Sequence, residues 1–444
     1  MKSMNNLAIL GGTPVRTAPF SSQPHIGETE KNYVAECLDE KTFSRFIGSP
    51  VPGYREQLAL SSQEALNSQA VYSVLGGKYV RLFEAEFAKK HNVTFAISMN
   101  SATSCLTAAL IACGIQPGDE VVTTALSFTA TATAITLMGG KAVCTDVSPD
   151  TYCMDMQSLE KAVTKKTKAI IPVHLLGNAG NIAEIKMFCK DRDIVLIEDS
   201  AQALHSQKNN VYLGSFGSIG VFSFQETKNI MTGEGGMAIT NDPELAYRLR
   251  LIRNHGEALV DESDAPERIK AALGYNFRLP EILAAIGYAQ AQKIEYLNNI
   301  RKENFEYLEK GLRTFSFLRF QQITNDPDQF FPYCVGMRFD STDFGVSRDL
   351  FALALRAEGI PVSTGFPRLM NENLIFDSEI ETPVAHKLNY EEYLAFFLVG
   401  QPNNQSDMQD IIKAFDKLST YRDELKKAEP NFTITREYDS GRGS

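Results

Sequence analysis

The chain has 444 residues, more than the roughly 250 to 300 at which a single hydrophobic core stops growing, so two domains are expected. With 43% hydrophobic and 22% charged residues, the composition excludes a disordered chain. The net charge of -10 comes without a long basic run, and no apolar stretch reaches the ~18 to 20 residues that span a bilayer. We therefore expect a cytoplasmic protein with neither nucleic acid nor membrane as partner, whose seven cysteines are reduced thiols.

The first irregular segment covers residues 43–70. It contains Pro50, Pro52 and Gly53, followed by the polar run "SSQEALNSQ". Because clusters of proline and glycine mark loops, we predict an inserted loop that lies outside the hydrophobic core.

Beyond residue 93, short apolar segments rich in β-branched residues alternate with segments of helical spacing. The strand-like segments are "TFAIS" (94–98), "DEVVTT" (119–124), "KAVCTDV" (141–147), "KAIIPVHLL" (168–176), "DIVLIED" (193–199), "IGVFSF" (219–224) and "GMAIT" (236–240). The alternation predicts an α/β fold in which a mostly parallel, seven-stranded sheet lies between helices.

The character of the sequence changes after 280–312, which has the pattern of one or two long helices beginning at Pro280. The later segments "YCVGMRF", "SRDLFALALRAEG" and "QSDMQDIIKAFDKLSTYRDELKKAE" predict a strand and two helices of a smaller α+β unit. We therefore predict a large domain over 1–300 and a small C-terminal domain over 301–444.

Two chemically notable residues follow strands of the predicted sheet, where open parallel sheets bind ligands. Asp199 ends the apolar segment "VLIED", and Lys228 follows "GVFSF" by four residues, 29 residues after Asp199. A lysine that faces a buried carboxylate is able to bond pyridoxal phosphate, while the acid keeps the pyridine nitrogen protonated. The alternatives are an aspartate that caps a surface turn and an ordinary solvated lysine.

A phosphate site is suggested by "MNSATSCLTAALIACG", where a strand gives way to Ser101, Ala102 and Thr103 before an apolar helix. Free N–H groups and the helix dipole favour an anion there, although simple capping by the same hydroxyls is the alternative. Ser223 precedes the lysine and supplies another hydroxyl, and Phe128 follows a strand where its ring could lie on a flat cofactor.

The chain resembles the DegT/StrS family of pyridoxal-phosphate-dependent sugar aminotransferases. The matching segments occur in order as "LAILGGTPVR", "YVRLFEAEFAKKH", "NSATSCLTAAL", "SFTATATAI", "IPVHLLG", "VLIEDSAQALHS", "GVFSFQETKNIMTGEGGMAIT", "RNHGE" and "GYNFRLPEILAAIG". The resemblance implies a fold of the aspartate aminotransferase type, pyridoxal 5'-phosphate as cofactor and a homodimer.

The resemblance assigns residues around the ring of the cofactor. The lysine that bonds the cofactor falls on Lys228, the aspartate at the pyridinium nitrogen on Asp199, and the glutamine at the ring hydroxyl on Gln202. The ring-stacking aromatic residue falls on Phe128.

Further residues are assigned to the cofactor phosphate. The small pair of the family falls on Ala102 and Thr103, with alanine where many relatives have glycine, and the phosphate-binding serine falls on Ser223. Asn276 matches an asparagine that reaches the phosphate from the other subunit, so the resemblance implies sites shared between two chains.

Other positions bear on the substrate. His174 and Arg278 lie in matching motifs and are expected to line the site. The segment 43–70 is longer than the family pattern, and "GIPVSTGFPRLMNEN" (359–373) lacks the usual tyrosine-then-histidine pattern, which leaves the acceptor open. Lys228 stands where a sugar-dehydrating branch of the family has histidine, and this favours transamination.

The implied reaction moves an amino group from glutamate to the carbonyl of a sugar-like acceptor, for an amino sugar of a surface polysaccharide or a natural product. The segment "GGTPVR" favours a keto-cyclitol or an eight-carbon 3-deoxy sugar acid, and a nucleotide-linked keto-hexose is the alternative. A nicotinamide oxidoreductase is disfavoured because "GSFGSIG" has the wrong spacing and precedes a strand. A non-catalytic, cofactor-binding regulator is disfavoured because Lys228 and Asp199 are both present, and no metal is expected.

Overall fold

The computed structural model describes residues 6–21, 24–46, 54–68, 73–256, 274–373, 376 and 380–432. The helices are α1 (Glu28–Asp39), α2 (Tyr54–Ala59), α3 (Ser62–Ala65), α4 (Lys78–Lys90), α5 (Ala102–Ala112), α6 (Ala130–Leu137), α7 (Met156–Ala162), α8 (Ile182–Lys190), α9 (Pro243–Arg253), α10 (Glu281–Gln292), α11 (Ile294–Leu312), α12 (Ser341–Phe344), α13 (Arg348–Ala357), α14 (Pro383–Lys387), α15 (Gln405–Thr420) and α16 (Arg422–Ala428). The strands are β1 (Phe95–Met99), β2 (Glu120–Thr124), β3 (Lys141–Thr145), β4 (Thr167–Ile171), β5 (Val195–Asp199), β6 (Gln207–Lys208), β7 (Val211–Tyr212), β8 (Ile219–Ser223), β9 (Gly236–Thr240), β10 (Leu318–Phe320), β11 (Val335–Phe339) and β12 (Tyr393–Phe396).

The predicted seven-stranded sheet is confirmed, with the strand order β1-β9-β8-β5-β4-β2-β3. The pairs from β8 to β3 are parallel, and β9 runs antiparallel to both β1 and β8. Most positions of the seven strands are buried because helices cover both faces of such a sheet. The segment predicted to run to residue 176 ends as a strand at Ile171, since Pro172 has no N–H to donate to a neighbouring strand.

A smaller sheet, β10-β11-β12, packs with α13 and α15 around a second hydrophobic cluster. Leu7 and Phe20, near the start of the chain, are buried in this same cluster. The domain boundary near residue 300 stays a prediction, and by packing the N-terminal segment belongs with the C-terminal unit.

The prediction that 43–70 lies outside the core is wrong for residues 54–68, which form α2 and α3. Leu58 and Ala65 are buried against Leu251 of α9. The buried Arg250 side chain donates from Nη1 to the backbone oxygen of Leu58 at 2.7 Å. The polar composition of the segment does not predict these contacts, because only a few of its residues are apolar and face the core. No described helix combines the length and apolar character that crossing a membrane requires.

Candidate active site

Asp199 is held at the carboxyl end of β5 with both carboxylate oxygens engaged. Thr131 of α6 donates from Oγ1 to Asp199 Oδ2 at 2.7 Å, and the Ala201 N–H donates to Oδ1 at 3.1 Å. The side chain is only 5% exposed. These contacts fix the Asp199 carboxyl group in one orientation at the edge of the sheet.

Lys228 lies in the connection between β8 and β9, in a turn closed by its own N–H, which donates to Gln225 O at 2.9 Å. Thr232 N–H donates to Phe224 O at 2.8 Å, and Glu226 N–H donates to Gly233 O at 2.9 Å, so the connection folds back along itself. The turn therefore presents the lysine from a fixed backbone rather than from a free loop.

Tyr333, which precedes β11, covers Lys228 from the C-terminal side. The Lys228 Nζ lies 4.4 Å from the centroid of the Tyr333 ring, the geometry of a cation–π contact. The Tyr333 hydroxyl is 2.9 Å from Thr227 Oγ1. The sequence did not single out this tyrosine.

The predicted anion site lies at the N-terminus of α5, whose first residues keep the geometry of a helix start. Ser101 caps the helix by accepting from Ser104 N–H at 3.1 Å, and within the described chain no protein acceptor meets the N–H groups of Ala102 and Thr103. A Cβ on Gly236 would come within 2.5 Å of the Ser101 backbone carbon and 2.6 Å of the Ala102 nitrogen. Glycine is therefore required where β9 passes the start of the helix.

These elements surround a cavity of about 480 Å³. The sheet side contributes the predicted residues Ala102, Thr103, Phe128, Asp199, Gln202, Ser223 and Lys228. The C-terminal side contributes Tyr333, Ser363, Gly365, Phe366, Tyr393 and Phe397. Seven of the predicted site residues thus meet at one cavity.

Two of these residues have environments that bear on their predicted roles. Phe128 is 63% exposed, so its ring face is available to a flat ligand. The Gln202 side chain accepts from Leu176 N–H at 2.9 Å through Oε1, which leaves its amide group to donate toward the cavity that Gln202 lines.

His174 is not brought to the cavity. Its Nε2 donates to Glu198 Oε2 at 2.8 Å, and Glu198 also accepts N–H groups from Gly214, Phe216 and Gly217. Neighbouring residues of a strand point to opposite faces, so a histidine bonded to Glu198 lies on the face away from Asp199. Its contacts are those of a residue that stabilises the sheet.

Asn276 and Arg278 also lie apart from the residues that line the cavity. Arg278 donates from Nε to Asn276 Oδ1 at 2.8 Å and from Nη1 to Asn254 Oδ1 at 3.2 Å. Asn276 is exposed, which leaves its face accessible to a second chain. The predicted reach of Asn276 into another subunit's site stays a prediction.

The donor set of the cavity fits a phosphorylated pyridine aldehyde. Lys228 supplies an amine, and Asp199 supplies a carboxylate for a ring nitrogen. The start of α5 supplies free N–H groups for a phosphate, and Gly236 lets β9 pass close to them. No group of three potential metal ligands occurs among the described residues. Fold and site together define the class of pyridoxal-phosphate enzymes with the aspartate aminotransferase type of architecture.

A family model described as the DegT/DnrJ/EryC1/StrS aminotransferase family matches residues 54–403. The chain belongs to this family. The predicted aminotransferase activity, fold type and dependence on pyridoxal 5'-phosphate are thereby confirmed.

The chain is similar to named relatives over most of its length. It is 28% identical to L-glutamine:2-deoxy-scyllo-inosose aminotransferase of Streptomyces kanamyceticus, over 94% of this chain and 98% of that protein. It is 33% identical to GDP-perosamine synthase of Escherichia coli O157:H7, over 66% of this chain and 71% of that protein. A solved structure of GDP-4-keto-6-deoxymannose-3-dehydratase with a trapped PLP-glutamate geminal diamine has a TM-score of 0.73 at 26% identity, covering 89% of this chain and 99% of that chain.

Proposed function

We propose that this enzyme transfers an amino group from glutamate or glutamine to the ketone of a cyclitol. The observation that carries amino transfer is the placement of Lys228 and Asp199 in one cavity beside a helix N-terminus. The cyclitol acceptor is supported by the similarity to the scyllo-inosose aminotransferase, which extends over nearly all of both chains.

The residues have separate tasks in this proposal. Pyridoxal phosphate supplies an aldehyde that carries the amino group and a ring that accepts electrons. Lys228 binds the aldehyde and then moves a proton at the donor's α-carbon, a positioned transfer worth ~10²- to 10⁴-fold in rate. Asp199 holds the ring nitrogen protonated, and Gln202 donates to the ring hydroxyl.

The phosphate is bound at the other end of the cavity. The free N–H groups of Ala102 and Thr103 donate to its oxygens, with the Ser223 hydroxyl beside them. Phe128 stacks on the ring face. Asn276 donates to the cofactor phosphate in the site of the partner subunit, so the working form is a homodimer. We expect the enzyme to act in the cytoplasm.

The character of the cavity favours an uncharged acceptor. Among the described residues that line it, Lys228 is the only lysine, arginine or histidine. A nucleotide-linked sugar carries a pyrophosphate that proteins usually meet with arginine or lysine. Aromatic side chains on the C-terminal side, Tyr333, Phe366, Tyr393 and Phe397, instead suit the C–H faces of a polyhydroxylated ring.

The second candidate is a nucleotide-linked keto-hexose, which the similarity to GDP-perosamine synthase favours. The purified holoenzyme is assayed with glutamate and, separately, glutamine against a keto-inositol, an eight-carbon aldehyde sugar acid and a nucleotide-linked 4-keto-hexose. We expect the highest kcat/KM with the keto-inositol. A preference of tenfold or more for the nucleotide-linked sugar would replace the cyclitol proposal with the second candidate.

A further inference from the structure

Tyr333 contacts the reactive lysine from outside the sheet that carries the chemistry. We propose that Tyr333 is the positioning residue for Lys228, with its ring face as the fixed resting site of the lysine amine. This inference rests on the amino-transfer step of the proposed function and is independent of the acceptor.

The contact between the two side chains is direct and shielded. The Lys228 Nζ lies 4.4 Å from the ring centroid, and Tyr333 is only 3% exposed. Cation–π attraction is strongest where water is excluded, because competing hydration of the charge is lost. Both residues also line the cavity, so the ring holds the amine at its wall.

The Tyr333 hydroxyl ties the ring to the turn that carries Lys228. Thr227 Oγ1 is 2.6 Å from Gln225 Oε1, which only accepts, so the single Thr227 hydroxyl proton is donated there. Thr227 must then accept from the Tyr333 hydroxyl at 2.9 Å. The Tyr333 hydroxyl therefore donates to the Thr227 hydroxyl, which donates to the Gln225 side chain. The backbone oxygen of Gln225 in turn accepts the Lys228 N–H.

The backbone of Tyr333 is fixed at both ends. Its N–H donates to Leu176 O at 3.2 Å, and its carbonyl accepts from Arg301 Nη1 at 3.1 Å. The Phe397 ring packs against the Tyr333 ring edge to face, with centroids 5.4 Å apart. The ring is thus a rigid platform, whereas the lysine side chain has rotatable bonds.

This arrangement matters because Lys228 changes partners during amino transfer. The lysine amine would leave the cofactor uncharged when the amino donor binds, take a proton from the donor's α-carbon, hold it as an ammonium ion over the Tyr333 ring, and give it up before it bonds the cofactor again. Proton transfer needs the base within hydrogen-bond reach, and an unbonded lysine would otherwise sample many rotamers. The Tyr333 ring restricts that search to the cavity wall.

The test compares Tyr333→Leu, which removes both the ring and the hydroxyl, with Tyr333→Phe, which removes the hydroxyl alone. One readout is the rate at which Lys228 in the apo-protein is labelled by pyridoxal phosphate and borohydride, followed by mass spectrometry. The other is the rate of the spectral change that glutamate causes in the holoenzyme. We expect Tyr333→Leu to slow both about 5- to 30-fold at unchanged glutamate affinity. Tyr296→Leu, at an exposed tyrosine, controls for the substitution and should match the native protein.

A double-mutant cycle keeps the test decisive if the leucine variant does not fold. Tyr333→Phe and Thr227→Val both remove the hydrogen bond between these two side chains, and Thr227→Val also removes the one to Gln225 Oε1, so we expect labelling to slow about threefold in Tyr333→Phe and at least as much in Thr227→Val. The double variant should be no slower than Thr227→Val alone, because Tyr333→Phe removes no hydrogen bond that Thr227→Val leaves in place. Additive effects, or a Tyr333→Leu protein that matches the native rates, would overturn the proposal. Native protein that is labelled at Lys228 but shows no spectral change with either glutamate or glutamine would contradict the proposed function instead.

Discussion

The two sides of the cavity are built in different ways. On the sheet side, Asp199 and Lys228 follow strand ends, and Ala102 begins a helix. On the C-terminal side, Tyr333 and Phe366 lie in irregular segments. The sheet side carries the charged side chains to which the proposed function assigns the reaction, and the C-terminal side carries aromatic rings that line the cavity.

Buried polar side chains hold the irregular segments of the C-terminal side, in addition to the pairing of β12 with β11. Arg348 is fully buried and donates from Nη1 to the carbonyls of Thr364 at 2.9 Å and Tyr393 at 2.8 Å. The Asn389 amide accepts from Phe366 N–H at 2.7 Å and donates to Phe366 O at 3.0 Å. A segment without regular structure is thereby held as firmly as a strand, which is what substrate selection requires.

The largest expected effect is on the sheet side, with Lys228→Ala. Amino transfer should fall by at least about 10²- to 10⁴-fold, because no described residue of the cavity supplies another amine. Stability should change little, since the side chain is only half-buried. Initial rates of glutamate-dependent transfer measure the loss, and Lys190→Ala, at an exposed lysine of α8, should keep native rates.

Gly236→Ala tests the close approach of β9 to the start of α5. The new methyl group would lie 2.5 Å from backbone atoms that cannot move independently, so we expect a loss of about 1 to 3 kcal/mol in the free energy of unfolding. Cofactor affinity should fall with it. Gly27→Ala is the control, because its nearest neighbour would be 3.5 Å away. Native cofactor affinity in Gly236→Ala would show that this approach does not shape the phosphate site.

The residues of the sheet side were predictable because they follow strands or begin a helix, and short sequence segments reveal both. Parallel strands bury both faces and therefore appear as apolar runs. Their carboxyl ends meet at one edge of the sheet, and this predicts that Asp199 and Lys228 lie close together. Thr131, which lies one helical turn beyond the predicted Phe128, was not predicted. The threonine-rich segment that contains it follows a strand of the sheet, and this position could have identified it. His174 was misplaced because a motif match does not reveal which face of a strand its partner occupies.

The C-terminal side could not be predicted for a physical reason. Tyr333 faces Lys228 across 105 residues of sequence, and only the docking of the small sheet brings them together. Phe366 gives no periodic signal, since its conformation depends on an Asn389 side chain in a separate segment. The core contacts of 54–68 were missed likewise, because two buried apolar residues among many polar ones leave almost no pattern.

Gly365→Ala should affect the C-terminal side alone. Gly365 has a φ of +108°, and a Cβ would lie 2.4 Å from Asn389 Oδ1, so the substitution disturbs the bonds that hold Phe366. We expect about a tenfold rise in the KM for the acceptor, with the glutamate-induced spectral change unaltered. Gly345→Ala has a similar φ of +88° but nothing closer than 3.5 Å, and should leave that KM unchanged. Equal damage to both half-reactions would contradict the separation of the two sides.

The last expected effect leaves catalysis at neutral pH unchanged and is an acid sensitivity of the sheet side. Burial lowers the pKa of His91 to about 3 and that of His205 to about 4, whereas His386 of the C-terminal unit is exposed. The unfolded chain binds these protons near pH 6.5 and the folded chain only below about pH 4. Stability should therefore be full above pH 6.5 and fall by about 2 kcal/mol per buried histidine at pH 4.5.

Urea unfolding at pH 7.5, 5.5 and 4.5 measures this effect. His91→Phe should reduce the slope between pH 6.5 and 4.5, because the ring that replaces it in contact with Phe87 and Phe222 does not titrate. His386→Asn, at an exposed histidine of the C-terminal unit, is the matched control and should keep the native slope. A slope that follows His386 instead would place the acid-sensitive region in the C-terminal unit and reverse the comparison.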